Sequence, residues 1–178
     1  MSASSATRTA ASIEPRDLVL GAAPLVAGTL VAAATSGDES RWYRTLAKPA
    51  WTPPGAAFGP VWSLLYALMG VASVIVAWAG RERLATGDRF VRRRADVALG
   101  LHAVQLALNL AWSVIFFGRR ELKPAGVELA ILWGSIVATV VAFLRVRTLA
   151  GLLLLPYLAW TSFAGLLTAE LIRRNPRR

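Results

Sequence analysis

The sequence predicts an all-α membrane protein, a bundle of five transmembrane helices, and two observations support this fold class. Of the 178 residues, 56% are hydrophobic and the mean hydropathy is +0.51, which is too apolar for a soluble domain of this size. The apolar residues also fall in five runs, each close to the roughly 20 residues that a helix needs to cross a bilayer. Lipid forces a spanning backbone to satisfy its own hydrogen bonds, so the runs indicate helices and not an open sheet.

The five runs define one transmembrane domain, residues 17–173, between two tails. Residues 1–16 are small and polar, which predicts a disordered N-terminal tail, and residues 174–178 form a basic C-terminal tail. Pro24 and Gly28 are expected to bend or thin the first span, and Pro156 to interrupt the fifth. The predicted spans are residues 17–36, 58–80, 95–117, 124–144 and 148–172.

The charge of the chain points to lipid headgroups and not to a nucleic acid partner. There are 20 basic residues against 10 acidic ones, and the basic residues lie in short clusters between the apolar runs. They divide equally between the two sides of the predicted bundle, so the positive-inside rule leaves the orientation open. The bias towards Arg and Ala favours a bacterial cell membrane, with the particular membrane undetermined. The chain has no cysteine, which excludes disulfides and thiolate metal sites.

Residues 41–66 form an aromatic stretch that leads from the first span into the second. Four prolines predict a stiff loop that is not helical. Two interpretations of its aromatic rings remain open, an aromatic belt at the membrane interface or a lid over a flat ligand. The prolines are Pro49, Pro53, Pro54 and Pro60, and the rings are Trp42, Tyr43, Trp51, Phe58 and Trp62.

The third span carries polar residues on one face and small residues on the other. At about 100° per residue, one inward face is predicted to hold His102, Gln105, Asn109 and Trp112. Gln105 and Asn109 either line a cavity or hold the bundle together through hydrogen bonds between helices. The opposite face holds Ala103, Ala107 and Ala111, which either pack within the chain or form a homodimer interface.

The second and fifth spans add aromatic stripes that could complete one cavity. Trp62, Tyr66, Met69 and Ser73 recur on one stripe, and Tyr157, Trp160, Ala164 and Thr168 on another. A flat, hydrophobic and partly polar ligand would suit such walls. No catalytic residue set and no metal site is predicted. The single histidine, His102, is either an axial haem ligand or simply hydrogen-bonded, and its place near a helix end favours hydrogen bonding.

Glu128 and Glu170 are acidic residues within predicted spans. Glu128 is expected to snorkel, to stay protonated or to pair with a basic loop. Glu170 precedes Arg173 and Arg174 by three and four residues, a spacing that predicts ion pairs on one helix face.

Four stretches resemble the translocator protein family, whose bacterial members are the tryptophan-rich sensory proteins. They read WYRTLAKPAWTPPG, GPVWSLLYALMG, QLALNLAWSVIFFG and LLPYLAWTSFAGL, in order, and the resemblance covers about residues 17–173. It implies a five-helix bundle, often a homodimer, that binds porphyrins and haem as ligands and not as an obligatory cofactor. It also implies binding of sterol and of benzodiazepine-type ligands. Sensing, regulation or transport of porphyrins is the implied function.

The resemblance also implies the residues of the pocket. Trp51 would be a lid aromatic, Tyr66 would line the second helix, and Asn109 and Trp112 would contribute a hydrogen bond and a wall. Trp160 and Ala164 would line the pocket from the fifth helix. In some bacterial members the aromatics that match Trp51 and Trp160 are implicated in light- and oxygen-dependent porphyrin breakdown, so an enzyme is the alternative, with these two as its catalytic candidates.

The sequence departs from the family in three places. Thr168 and Ala169 stand where the family tends to have Asn and an aromatic, which leaves out the Tyr of the proposed cholesterol motif. Ala50 stands where an aromatic often precedes the match to Trp51. The link at residues 81–94 is long and unusually basic, which suits a solvated flank, anionic lipid or porphyrin propionates. A third interpretation is therefore an interaction module for lipid or sterol.

Overall fold

The computed structural model describes residues 14–34 and 38–176, and this part of the chain contains helices and no strand. Residues 1–13 of the expected N-terminal tail and residues 177–178 of the expected C-terminal tail lie outside it. Within the described part, Pro15 and Arg16 belong to the first helix and Arg174 to the last one, so both predicted tail boundaries were wrong by one or two residues. The elements are α1 (Pro15–Ala34), α2 (Asp38–Thr45), α3 (Gly55–Ala85), α4 (Arg89–Ser113), a π-helical turn (Val114–Gly118), α5 (Leu122–Val146), α6 (Thr148–Leu153) and α7 (Leu155–Arg174).

Four helical stretches within the described residues are long and apolar enough to cross a membrane. They are α3, α4 with its π-helical turn, α5, and α6 with α7. The structure therefore supports an all-helical membrane protein. α1 is a further helix of 20 residues, and the count of five spans stays a prediction.

The core lies where α3, α4, α5 and α7 meet. Met69, Ala98 and Phe143 are completely covered by neighbouring side chains, and Tyr157 is 1% exposed. Short connections join α3 to α4, α4 to α5 and α5 to the stretch formed by α6 and α7, so these neighbours pack antiparallel, as expected of a bundle with short loops. This arrangement directs one face of each helix to the same interior.

α1 packs against α3 through a contact between two glycines. A Cβ atom added at Gly70 would collide with the backbone carbonyl oxygen of Gly21, so only glycine permits this approach. One turn further, the hydroxyl of Ser73 donates to the backbone oxygen of Leu20 (3.0 Å). Small residues thus bring the two backbones together as in other membrane helix pairs.

The aromatic stretch is helical at its start, so the prediction of a loop that is not helical was wrong there. α2 ends at Thr45, four residues before Pro49, and the chain is irregular from there to Pro54. The prolines stop a helix only at and just before their own positions, and the Arg-rich residues upstream face no such restriction. α3 then contains Pro60 in its first two turns, where few backbone hydrogen bonds are lost.

The expected long basic link at residues 81–94 was wrong. α3 continues to Ala85 and α4 begins at Arg89, so that only Thr86, Gly87 and Asp88 connect them. Gly87 adopts φ +81°, which glycine tolerates, and the side chain of Asp88 accepts from the backbone N–H of Val91 (3.1 Å) as a helix cap. The arginines of this segment are therefore fixed on two helix ends.

The fifth apolar run is divided at Leu154, two residues before Pro156. α6 ends at Leu153 and α7 carries the proline in its first turn, where a missing N–H costs least. The predicted interruption is therefore confirmed, and the two segments still form one stretch long enough to span a membrane.

Candidate ligand-binding site

The inward face predicted for the third span is confirmed. His102, Gln105 and Asn109 are buried, with Gln105 and Asn109 each 1% exposed, and Trp112 is partly buried on the same face. The stripes predicted for the second and fifth spans also face inwards, since Tyr66 and Tyr157 are buried. The sequence periodicity therefore identified the interior of the bundle correctly.

Asn109 lies at the centre of that interior and joins two tyrosines from different helices. The hydroxyl of Tyr66 on α3 donates to Asn109 Oδ1 (2.7 Å), and Asn109 Nδ2 donates to the hydroxyl of Tyr157 on α7 (3.2 Å). Trp62 stacks on the ring of Tyr66 with centroids 5.4 Å apart and meets Tyr157 edge-on at 6.1 Å. We call Trp62, Tyr66, Asn109 and Tyr157 the central cluster.

Gln105 and His102 extend the polar face of α4 by two turns. Gln105 Nε2 and His102 Nδ1 lie 3.1 Å apart, and the Gln105 amide also approaches Met69 Sδ at 3.8 Å. The imidazole packs beside the ring of Phe143, with centroids 5.6 Å apart. Simple hydrogen bonding thus accounts for one ring nitrogen of His102.

Four aromatic rings form a second cluster between the irregular loop, the first turn of α3 and α7. Trp51 meets Phe163 edge-on at 5.7 Å, Phe163 meets Trp160 at 5.5 Å, and Trp160 meets Phe58 at 5.7 Å. Trp51 itself is 50% exposed. We call Trp51, Phe58, Trp160 and Phe163 the loop cluster. Phe163 was missed in the sequence, although it follows Trp160 at the helical spacing of three.

The last two predicted pocket residues flank these clusters. Trp112 stacks on Phe116 with centroids 4.9 Å apart, and Phe116 lies in the π-helical turn. Ala164 packs against the core from α7. The structure therefore brings together the predicted residues in and around one interior region. Their role in ligand binding stays a prediction.

Several buried polar atoms in this interior have no hydrogen-bond partner in the described part of the chain. They are His102 Nε2, Gln105 Oε1, Trp112 Nε1 and both carboxylate oxygens of Glu128. Glu128 is only 8% exposed, so it neither snorkels nor pairs with a basic loop residue that the structure describes. Native interiors leave few polar atoms unpaired, so this concentration calls for an explanation.

A groove of about 1010 Å³ lies elsewhere, on the outer surface between α5 and α7. Its walls include Gly126, Ala130, Thr168 and Ala169, and Trp133 Nε1 donates to the hydroxyl of Ser162 within it (2.8 Å). Neither Gln105 nor any of the six pocket residues that the family resemblance implies lines this groove. The two positions where the sequence departs from the cholesterol motif do line it.

A buried ion pair that was not predicted from the sequence joins the start of α1 to the end of α3. Both carboxylate oxygens of Asp17 accept from the guanidinium of Arg81 (2.7 and 2.7 Å), and Trp78 Nε1 donates to Asp17 Oδ2 (2.9 Å). Asp17 is 3% exposed. The partners lie 64 residues apart, so no local spacing signals the pair.

The surface facing away from the interior carries the alanine ridge. Ala103, Ala107 and Ala111 are all exposed on α4, so packing within the described chain does not account for them. The predicted pairing of Glu170 with Arg173 and Arg174 is confirmed, with closest N···O distances of 2.6 Å to each.

Together, these features define a multi-pass helical membrane protein whose interior is both aromatic and polar. A family model described as the TspO/MBR family matches residues 20–174. The chain therefore belongs to the TspO/MBR family, as its resemblance to translocator proteins indicated.

Named relatives agree with this assignment. The human translocator protein is 43% identical over 139 residues, which cover 78% of each chain. The tryptophan-rich protein TspO of Chlorobaculum tepidum is 40% identical over 142 residues, 80% of this chain and 84% of the relative. The tryptophan-rich sensory protein of Cereibacter sphaeroides is 35% identical over 156 residues, 88% of this chain and 87% of the relative.

Proposed function

We propose that this protein binds tetrapyrroles such as protoporphyrin IX and haem, and acts as a sensor, regulator or transporter in porphyrin handling. Benzodiazepine-type ligands would compete for the same interior site. The observation that carries the proposal is the set of unpartnered polar atoms among aromatic walls. The name of the Cereibacter sphaeroides relative, a sensory protein, favours a sensing role among the three.

The chemistry of the unpartnered atoms suits a tetrapyrrole. Trp112 Nε1 is a hydrogen-bond donor for a propionate, while Gln105 Oε1 is an acceptor for a pyrrole N–H. The rings of the central cluster offer flat, apolar surface for the macrocycle. Asn109 already bonds two tyrosines, so its main role would be to hold their rings in place.

The loop cluster would form the lid of this site. Trp51 is half exposed on a loop stiffened by prolines, and its ring contacts reach α7 through Phe163. A ligand entering beneath the loop would cover that exposed ring. Trp51 and Trp160 should therefore change most in fluorescence when the site fills.

A titration of the full-length protein in detergent with protoporphyrin IX, read by tryptophan quenching in the dark, tests this proposal. Saturable quenching is expected, reduced in amplitude and affinity in Trp51→Phe and Trp160→Phe. Trp133→Phe is the matched control, because Trp133 lies on the outer groove. No saturable quenching, or an equal effect of all three substitutions, would contradict the proposal.

Photo-oxidative porphyrin degradation is the second candidate, favoured by the position of two oxidisable indoles in the loop cluster. Dioxygen would be the oxidant and light the energy source, with Trp51 and Trp160 as the catalytic candidates. Illumination should then bleach the Soret band of the bound porphyrin, more slowly in Trp51→Phe and Trp160→Phe than in Trp133→Phe. Equal bleaching rates in all variants would eliminate this candidate.

An interaction module for lipid or sterol is the third candidate, and the exposed alanine ridge favours it. Ala103, Ala107 and Ala111 would let the α4 helices of two copies approach closely in a homodimer. The outer groove between α5 and α7 would then face lipid. Competition between sterol and protoporphyrin IX would show that the groove and the interior site are coupled. Independent binding of the two ligands would show that the sites are separate.

A further inference from the structure

A small basic site lies at one end of the bundle, between the first turns of α4 and the last turn of α5. Its volume is about 250 Å³. Three of its lining side chains are arginines, and the other three are apolar. The lining residues are Phe90, Arg93, Arg94, Val97, Ala142 and Arg145.

The three arginines carry charge that no acid in the described chain neutralises. On the same end of the bundle, Arg81 pairs with Asp17 and Arg92 pairs with Asp96 (2.8 Å). Arg93, Arg94 and Arg145 contact no carboxylate among the described residues. All three are exposed and line the same site, so their positive potentials add there and attract an anion.

Arg94 is also held in place by an aromatic neighbour. Its guanidinium lies over the ring of Phe90, 4.2 Å from the centroid. This contact occupies the flat face of the guanidinium and leaves its N–H edge free to donate. Guanidinium edges bind phosphate through paired hydrogen bonds, which makes an oxyanion of that type the best match.

The apolar residues of the site indicate which kind of molecule carries the anionic group. Val97 is 56% exposed and lies one turn into the apolar run of α4, which begins directly after Arg94. Ala142 lies on the facing helix. A ligand that meets all six side chains therefore needs a charged head and an apolar body along the helices.

The geometry points to a binding site for an anionic phospholipid, with its phosphate among Arg93, Arg94 and Arg145 and an acyl chain along Val97. Ordinary pockets for drug-sized ligands have volumes of roughly 300–1,000 Å³, so this site suits one headgroup better than a tetrapyrrole. It lies outside the interior region assigned above. Basic sites between transmembrane helices are a known way of selecting acidic lipids.

Native mass spectrometry of the full-length protein in detergent tests the site directly. The protein is titrated with dioleoyl phosphatidylglycerol and, separately, with dioleoyl phosphatidylcholine, which has the same chains and no net charge. Arg93→Gln/Arg145→Gln removes two charges from the site. Arg83→Gln/Arg89→Gln removes two charges from exposed positions of the same end and leaves the site intact.

The wild type and the Arg83/Arg89 control should retain phosphatidylglycerol in preference to phosphatidylcholine. The Arg93/Arg145 variant should bind phosphatidylglycerol about 25-fold more weakly, since each basic residue near an anionic surface contributes about fivefold. Circular dichroism should show the same helix content in all three proteins.

Equal weakening in the two double variants would show a general surface attraction and overturn the assignment. Equal binding of phosphatidylglycerol and phosphatidylcholine by the wild type would also overturn the assignment. Inorganic phosphate or protoporphyrin IX that displaces phosphatidylglycerol at equal molar concentration would show that the site selects another anion, and the phospholipid assignment would fail.

Discussion

The ion pair between Asp17 and Arg81 makes a quantitative prediction about how α1 is held to α3. Asp17→Asn removes the negative charge and keeps the shape of the side chain. The carboxylate accepts two hydrogen bonds from Arg81, one from Trp78 and one from the backbone N–H of Glu14 (3.0 Å). Three of these four donors share Oδ2, so an amide that keeps this oxygen still leaves Nη1 of Arg81 without its acceptor.

The size of the effect follows from burial. Removing one partner of a fully buried ion pair costs about 3–5 kcal/mol. The side chain of Asp17 is 2% exposed but that of Arg81 is 20% exposed, and Glu14 Oε1 lies 3.5 Å from Arg81 Nε. Water and the Glu14 carboxylate therefore screen part of the charge left on Arg81. We therefore expect Asp17→Asn to lower the free energy of unfolding by about 2 kcal/mol, which corresponds to a fall in Tm of roughly 4–8 °C for a chain of this size.

Thermal unfolding in detergent, followed by circular dichroism, measures this difference. Asp96→Asn is the matched control, because Asp96 also pairs with arginine, Arg92 at 2.8 Å, but both side chains are substantially exposed. Exposed pairs of this kind contribute about 0–1 kcal/mol. The control should therefore change Tm by less than about 4 °C.

Equal shifts in Tm for Asp17→Asn and Asp96→Asn would refute the reasoning, since burial would then make no difference. A second comparison uses Arg81→Met. If the cost of Asp17→Asn comes from a stranded charge, the double variant Asp17→Asn/Arg81→Met should be more stable than Asp17→Asn alone. A double variant less stable than either single variant would show that the charge is not the cause.

Three further predictions follow from packing and exposure. Gly70→Ala places a Cβ against the Gly21 carbonyl and should lower Tm by more than about 10 °C. Gly134→Ala is the control and should leave Tm unchanged, because the space around Gly134 is open. Equal changes in Tm would contradict the close contact between Gly70 and Gly21. Glu170→Gln breaks only exposed ion pairs, so an unchanged Tm is expected and a large fall would show coupling to the fold. Ala107→Leu should convert a dimer to monomers on chemical cross-linking, and persistence of the dimer would exclude this ridge as the interface.

Periodicity made the inward and outward faces of the helices predictable from sequence. Asn109 and Ala107 lie only two residues apart, yet one is 1% exposed and the other lies on the outer surface. A helix repeat of about 3.6 residues separates such positions onto opposite faces. Polar groups avoid lipid, so the polar face had to be the inner one.

Contacts between distant segments were beyond what local spacing could show. The Asp17–Arg81 pair and the Gly21–Gly70 contact both depend on how α1 lies against α3, and neither leaves a periodic signal. The extent of the helices was also underestimated at the basic link. An Arg-rich run has good helix propensity, and only Gly87 between the two helices breaks it.

Glu128 shows a different limit of sequence reasoning. The sequence allowed the Glu128 carboxylate to snorkel, to stay protonated or to pair with a basic loop. Only the bundle geometry shows that both its oxygens are buried without a partner in the described chain. The same geometry leaves Trp112 Nε1 and Gln105 Oε1 unpaired. These orphaned atoms are the strongest structural reason to expect a ligand in the interior.

The affinity of protoporphyrin IX for Asn109→Leu, measured in the dark from the Soret band, tests the central claim most directly. Without Asn109 the rings of Tyr66 and Tyr157 lose the amide that positions them, so binding should weaken about tenfold, corresponding to one to two lost hydrogen bonds. Trp133→Phe on the outer groove should bind as the wild type does. An unchanged affinity in Asn109→Leu, or no saturable binding by the wild type, would contradict an interior tetrapyrrole site.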